Sequence, residues 1–120
     1  FICSNPTNDL FTLTGNSKGN GALTYPIGLI SVDELAFSGA ASGFLNKMSY
    51  TYSSKTYWTM SPNIFGASAA SPYVWNASSD GSIGSNYITG YFGVRPVINL
   101  KSTTEITGGI GTKNDPFIIK

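Results

Sequence analysis

Histidine is absent from this chain, Cys3 is its only cysteine and Arg95 its only arginine, and six acids complete the reactive inventory. Without histidine the Ser–His and Cys–His nucleophilic pairs are excluded in their usual form. The commonest zinc ligand is missing too, and one cysteine cannot replace it. A paired-carboxylate glycosidase needs two acids converging in a cleft. Asp33 and Glu34 are neighbours on a predicted helix, so their side chains diverge, and Glu34 is better used as a cap partner. Asp80 in a turn and Asp115 before Pro116 are turn formers. A calcium site around Asp80 has too few carboxylates. The glycine-rich stretches 15–21 and 108–113 fit no G-x-x-x-x-G-K-[ST] pattern and open no predicted helix. The expectation is a protein that is not an enzyme and that uses no metal and no cofactor.

What remains is recognition chemistry. Between Tyr57-Trp58-Thr59-Met60-Ser61-Pro62 and Gly93-Val94-Arg95-Pro96-Val97-Ile98-Asn99-Leu100 lies a segment made almost entirely of Ser, Asn, Gly, Ala, Tyr and Trp. Tyr and Trp offer large contact area at small entropic cost, and Ser, Asn and Gly offer adaptable hydrogen bonds. Binding segments of this kind sit on scaffolds that hold them in place. The candidate surface is residues 63–92, with Tyr73, Trp75, Tyr87 and Tyr91 as anchors and Asn76, Ser78, Ser79, Asp80, Ser85 and Asn86 as polar contacts. Some of these aromatics must fill the core, and at least two are expected outside it. Arg95 reads two ways. It is either a structural arginine that caps carbonyls or pairs with an acid such as Glu34, or a ligand contact near the rim.

Composition narrows the partners. A net charge of +1, with 11% charged residues and scattered lysines, argues against nucleic acid, which requires clustered Lys and Arg. Low charge with abundant aromatics also argues against disorder. The Ser, Thr, Asn and Gly bias is associated with secreted or surface proteins of bacteria and phage, so the expected localisation is extracellular or at the cell surface. No run of 18 or more apolar residues is present, so no membrane span is expected in this chain. Cys3 either pairs with a cysteine upstream of this sequence or stands as a free, partly buried thiol. The chain opens on Phe1-Ile2-Cys3 in mid-pattern, and the expectation is a single domain over 1–120 forming the C-terminal part of a longer secreted protein.

The elements that must position these residues are legible in outline. Leu10-Phe11-Thr12-Leu13 is a short strand candidate after the turn-like 5–9, and 15–21 is a loop. Tyr25-Pro26-Ile27-Gly28-Leu29-Ile30 predicts a strand feeding a helix. Ser31 is the N-cap, Glu34 completes a capping box, Val32, Leu35 and Ala36 form the apolar stripe, and Gly39 stops the helix. Residues 40–56 are mostly loop, with Phe44, Leu45 and Met48 as core plugs. Tyr57 to Met60 is a strand halted by Ser61-Pro62. Tyr73-Val74-Trp75-Asn76 is a strand turning at Ser79-Asp80-Gly81-Ser82, whose Asp-Gly pair suits a hairpin. Val94, Val97, Ile98 and Leu100 make the final core strand, and the tail carries a glycine-rich turn before Phe117-Ile118-Ile119. Trp58 and Val97 belong to the buried frame, while Asn76, Ser79, Asn86 and Thr89 are expected at least partly exposed.

Three ordered motifs carry a family resemblance over residues 25–100. Tyr25 to Leu35 resembles the strand-then-helix element of formylglycine-generating-enzyme-like and C-type-lectin-like bacterial domains. Tyr57-Trp58-Thr59-Met60-Ser61 is similar to their "Y-W-T/S-S" strand. Asp80-Gly81 followed by Gly93-Val94-Arg95-Pro96-Val97 resembles their "D-G … G-V-R-P-V" ending. The resemblance implies an α+β, C-type-lectin-like fold: a short helix packed on twisted antiparallel strands with a long irregular loop excursion that carries the ligand. The sequence departs from the family's calcium-dependent sugar sites, since Trp75-Asn76-Ala77 ends on a residue that cannot ligate. It also lacks the paired cysteines of the copper-binding enzymes.

Two functions fit. The first is a non-enzymatic recognition or adhesion domain that binds a glycan or protein ligand on another surface. The second is the structural head of a pilus-like or filamentous surface assembly, in which self-association into a polymer buries the same patch. Ligand and subunit interfaces both use uncharged aromatic surface, so the residues alone do not separate the two.

Overall fold

A computed structural model describes residue 7 and residues 17–19, 22–25, 27–65, 72–112 and 114–120. The candidate strand at 10–13, Cys3, Pro26 and residues 66–71 of the proposed display segment lie outside the described residues. The described chain is a small α+β fold of antiparallel strands in small sheets with one short helix.

Its centre is a three-stranded sheet in chain order, built from three of the seven strands among the described residues. These are numbered β1 (Ile27–Leu29), β2 (Tyr57–Ile64), β3 (Tyr73–Ala77), β4 (Ile83–Tyr87), β5 (Pro96–Ile98), β6 (Ile106–Gly108) and β7 (Ile118–Ile119). β2, β3 and β4 form the central sheet, β1 pairs with β5 and β6 with β7, all antiparallel. Helix α1 (Val32–Phe37) packs on the central sheet. Ser31 Oγ accepts the Glu34 N–H and the Glu34 carboxylate accepts the Ser31 N–H, so the capping box is formed as expected. Gly39 follows the C-cap at φ 92°, a left-handed conformation that glycine takes without strain.

The core is compact. Leu35, Ala40, Tyr57, Ala77 and Ile83 are buried together, with Ile30, Val32 and Trp75 packed against them. Leu35 is the helix's contribution, at 1% exposure; Val32 is half-buried and Ala36 is exposed, so the apolar stripe is narrower than its spacing implied. Two hydrogen bonds tie the small β1–β5 sheet and the helix start to the central sheet: Met60 N–H donates to Ile30 O (3.0 Å) and Val32 N–H to Ser61 Oγ (2.9 Å).

Several expectations are corrected. β2 does not stop at Ser61-Pro62 but runs to Ile64, with irregularities in its pairing to β3 on either side of Pro62. A bulged strand at the edge of the central sheet accommodates a residue that has no N–H to donate. Phe44, Leu45 and Met48 are exposed, Met48 at 94%, and plug nothing. The 40–46 segment docks through its backbone instead: Ile83 N–H donates to Ala41 O (3.1 Å), Ser42 bridges Ile83, and Ala40 supplies the buried side chain. The segment 93–100 is not a buried strand. Only Pro96–Ile98 is extended in a sheet, Val97 is half-buried, and Val94, Ile98 and Leu100 are exposed. A three-residue strand with one partner alternates its side chains, so an unbroken apolar run cannot all turn inward. Nor is it final, because β6 and β7 follow it. Trp58 is half-buried, not buried.

Candidate functional site

The segment expected to be an irregular display loop contains the middle of the sheet. β3 and β4 pair over their whole length, from Tyr73↔Tyr87 to Ala77↔Ile83. Side chains alternate along a strand, so the ten candidate residues divide between faces. Tyr73, Trp75, Ser85 and Tyr87 share one face with buried Ala77 and Ile83, while Asn76 and Asn86 lie on the other. Trp75 packs on the core and is no free anchor. Asn76 is 3% exposed and accepts a hydrogen bond from Ser78 Oγ at 3.3 Å. Its expected exposure is thereby corrected. β4 has poor strand formers in Gly84, Ser85 and Asn86; cross-strand pairing with Asn76, Trp75 and Val74 supplies what propensity does not.

Tyr73 and Tyr87 close the open end of the hairpin as a tilted pair, ring centroids 4.1 Å apart and planes at 38°. A side-chain hydrogen bond with Tyr87 that favours the neutral hydroxyl is the main cause that raises the Tyr73 phenol above its ordinary range. At the closed end Asp80 Oδ1 accepts Ser82 N–H (2.9 Å) and Ser82 Oγ–H (2.7 Å). Those bonds stabilise the anion and hold the Asp80 carboxyl below the usual aspartate range. Asp80 is thus the turn former expected, and Ser82 beside it is buried.

Two of the ten do meet at a concavity. Ser79 and Tyr91 line an open groove of about 520 Å³ together with Lys55, Thr56, Phe92 and Gly93. The groove is held by backbone bonds. Trp58 N–H donates to Gly93 O (3.0 Å), Gly93 N–H to Thr56 O (2.9 Å), and Ser79 N–H to Thr56 Oγ1 (3.2 Å). Phe92 packs edge-on against Trp58, centroids 4.8 Å apart at 61°. Immediately before these two fixed points Tyr91 stands fully in solvent, at 101% exposure. Phe92 lies within the 63–92 segment, where its adjacency to Tyr91 is the signal for it; Lys55 and Thr56 lie outside that segment, and no local signal marks them.

A second cleft, of about 300 Å³, lies beside α1 and is lined by Ile30, Glu34, Tyr50, Tyr57, Arg95 and Val97 among others. Arg95 Nη1 donates to Thr51 O at 2.8 Å and its guanidinium lies 5.5 Å from the centre of the Tyr57 ring. Of the two readings of Arg95, the carbonyl cap is formed. Tyr57 Oη donates to the same carbonyl at 2.6 Å. Thr51 is buried and anchored by a cluster in which its Oγ1 lies 2.8 Å from Ser38 Oγ and 2.7 Å from Ser49 Oγ.

Among the described residues, no group of three or more His, Cys, Asp or Glu side chains could hold a metal ion. No helix among them is long and apolar enough to cross a membrane. No curated protein and no solved structure matches the chain. A helix-capped central sheet closed by the β3–β4 hairpin, with two concavities built on its connections, is therefore the description to attach to a family: residues 3–102 match the family model described as Domain of unknown function (DUF6273), and the chain belongs to that family.

Proposed function

We propose that this chain is a non-enzymatic recognition domain, acting outside the cell or on its surface, which binds a glycan or protein ligand through the groove of Ser79 and Tyr91. The observation that carries this reading is the presentation of Tyr91. Its ring is wholly exposed while its neighbours Phe92 and Gly93 are fixed to Trp58 and Thr56. An aromatic ring in water gains contact area only when a partner covers it. A rigid mount lets it do so at small entropic cost. Ser54, Thr56, Ser79 and Lys55 around it supply donors and acceptors for hydroxyls or backbone groups. The finer architecture belongs to the same proposal: a C-type-lectin-like fold, supported by the order of strand, capped helix, Tyr-Trp-Thr strand and Asp-Gly turn. The site narrows from ten residues to Ser79 and Tyr91 with new neighbours. Screening wild type and Tyr91→Ala against glycan and protein arrays tests the reading. Ligands held by the first and lost by the second support it; ligands held equally by both remove the groove from the function.

The structural-subunit reading has its own observation. Met48, Phe65, Tyr50 and Phe37 are each at least 74% exposed, an unusual display of large apolar side chains. Sedimentation with negative-stain imaging separates the two readings, since concentration-driven polymers favour a filament head and a monodisperse species favours a solitary binding domain.

A further inference from the structure

We propose that the cleft beside Arg95 is a second binding site, for a small ligand that carries a single carboxylate on a flat, apolar body. The site is distinct from the Tyr91 groove and does not depend on it.

The anchor is Arg95. A guanidinium has five N–H donors in a planar fork that matches a carboxylate. One nitrogen bonds the Thr51 carbonyl, and the only other described partner is the Tyr57 ring face. No acid among the described residues forms an ion pair with Arg95. The residue is exposed and lines the cleft, so its remaining donors face solvent or a ligand. The mount is rigid. The Thr51 carbonyl takes both Arg95 and the Tyr57 hydroxyl, and Thr51 in turn is locked by Ser38 and Ser49. Such a chain of supports fixes the guanidinium before any ligand arrives, which lowers the ordering cost of binding. A fork held in place with spare donors and no bonded acid is suited to a bidentate anion.

The walls define the rest of the ligand. Ile30, Val97 and Pro96 are apolar, and Tyr50, 79% exposed, provides a ring at the rim. A flat hydrocarbon or aromatic body covers these surfaces and gains from their burial. Glu34 shares the cleft, with its Oε2 accepting Ser31 N–H (2.8 Å) and Ser31 Oγ–H (3.0 Å). Its negative charge repels a dianion more than a monoanion, so one carboxylate is favoured over a phosphate monoester.

Titration of the intact 120-residue chain with sodium benzoate, followed by amide and arginine side-chain NMR, tests the site. Saturable shifts are expected at Arg95, Thr51 and Val97, with benzamide, the neutral isostere, binding at least ~10-fold more weakly, the loss expected of a charge-assisted hydrogen bond. Arg95→Lys keeps the charge but loses the fork and should weaken benzoate by a similar factor while the hairpin amides stay in place. Tyr50→Ala, at an exposed rim position, should weaken it several-fold at constant melting temperature. Glu34→Gln keeps the capping geometry and should tighten it. Equal response to benzoate and benzamide, shifts centred elsewhere, or an Arg95→Lys variant that binds as wild type would overturn the proposal. Tighter binding of glucuronate than of benzoate would overturn the apolar body and point to an acidic sugar.

Discussion

Two connections flank β4, and they treat their side chains in opposite ways. The turn at 78–82 folds onto the protein: Gly81 and Ser82 are buried, and Asp80 spends its carboxylate on Ser82. The connection at 88–93 turns outward, leaving Ile88, Thr89 and Tyr91 exposed. Both contain glycine and polar residues, and both were assigned to one display segment. The difference lies in what approaches each of them. The 40–46 segment covers the first, with Asn46 against Gly81, whereas the second is held only along its backbone and by Phe92. A display residue is one whose neighbours are fixed and whose own side chain meets nothing.

The largest effect expected from this comparison is at Gly81. Its φ is 90°, and a Cβ there would collide with the Asn46 carbonyl. Gly81→Ala combines backbone strain with overpacking and should cost roughly 2–4 kcal/mol in denaturant unfolding. A loss below about 1 kcal/mol would mean that the turn is as free as its counterpart.

The legible and illegible parts of the sequence divide along the same line. The capping box at Ser31 and Glu34, the stop at Gly39 and the hairpin about Asp80-Gly81 are local, so residues a few positions apart suffice to specify them. Burial is not local. Phe44, Leu45 and Met48 have core composition but stand outside, because Ala40 and the backbone of 41–42 already fill the space against Ile83. Asn76 has surface composition but is buried, on the face opposite Ala77 and Ile83, where it sits against Gly84, which has no side chain, and Ser78 Oγ. The candidate site inherits both limits. Ser79 and Tyr91, singled out by residue type, line one groove. Their partners Lys55 and Thr56, and the Thr51–Arg95 pairing across 44 positions, depend on chain crossings that no short window contains.

The next effect concerns the outward connection. Phe92 fixes it through the edge-on contact with Trp58. Phe92→Ala removes that contact and part of the buried ring, for an expected loss of about 1–2 kcal/mol. Binding through the groove should fall together with stability, because Tyr91 loses its mount. A variant that binds as tightly as wild type would show that the backbone bonds of Gly93 are a sufficient mount.

A smaller effect is expected at Asp80, and it depends on pH. Its carboxyl is held below the usual range by the Ser82 N–H and hydroxyl. A depressed carboxylate contributes stability above the unfolded aspartate value, about 3.9. That contribution is lost as pH falls through the lower folded value. Melting curves of wild type and Asp80→Asn should therefore differ at pH 6 and converge below about pH 4. A gap that stays constant over this range would remove ionisation from the account of the turn.

The smallest stability effect, and the most discriminating for function, is expected at Tyr91. Its ring is fully exposed, and the connection is held by hydrogen bonds at Ile88, Gly90 and Gly93 and by the Phe92 ring contact, so truncation removes no packing. Tyr91→Ala should change unfolding free energy by no more than ~0.5 kcal/mol. If the ring is the centre of a recognition surface, the same substitution should weaken ligand binding at least ~10-fold, as truncation of a central aromatic anchor does. Tyr87→Ala is the control: that ring is also exposed but leans on Tyr73, so it should lose stability through the broken pair with little change in binding at the groove. The opposite pattern would move the site from the connection at 88–93 to the open end of the hairpin, where the two tyrosines would present one continuous aromatic face.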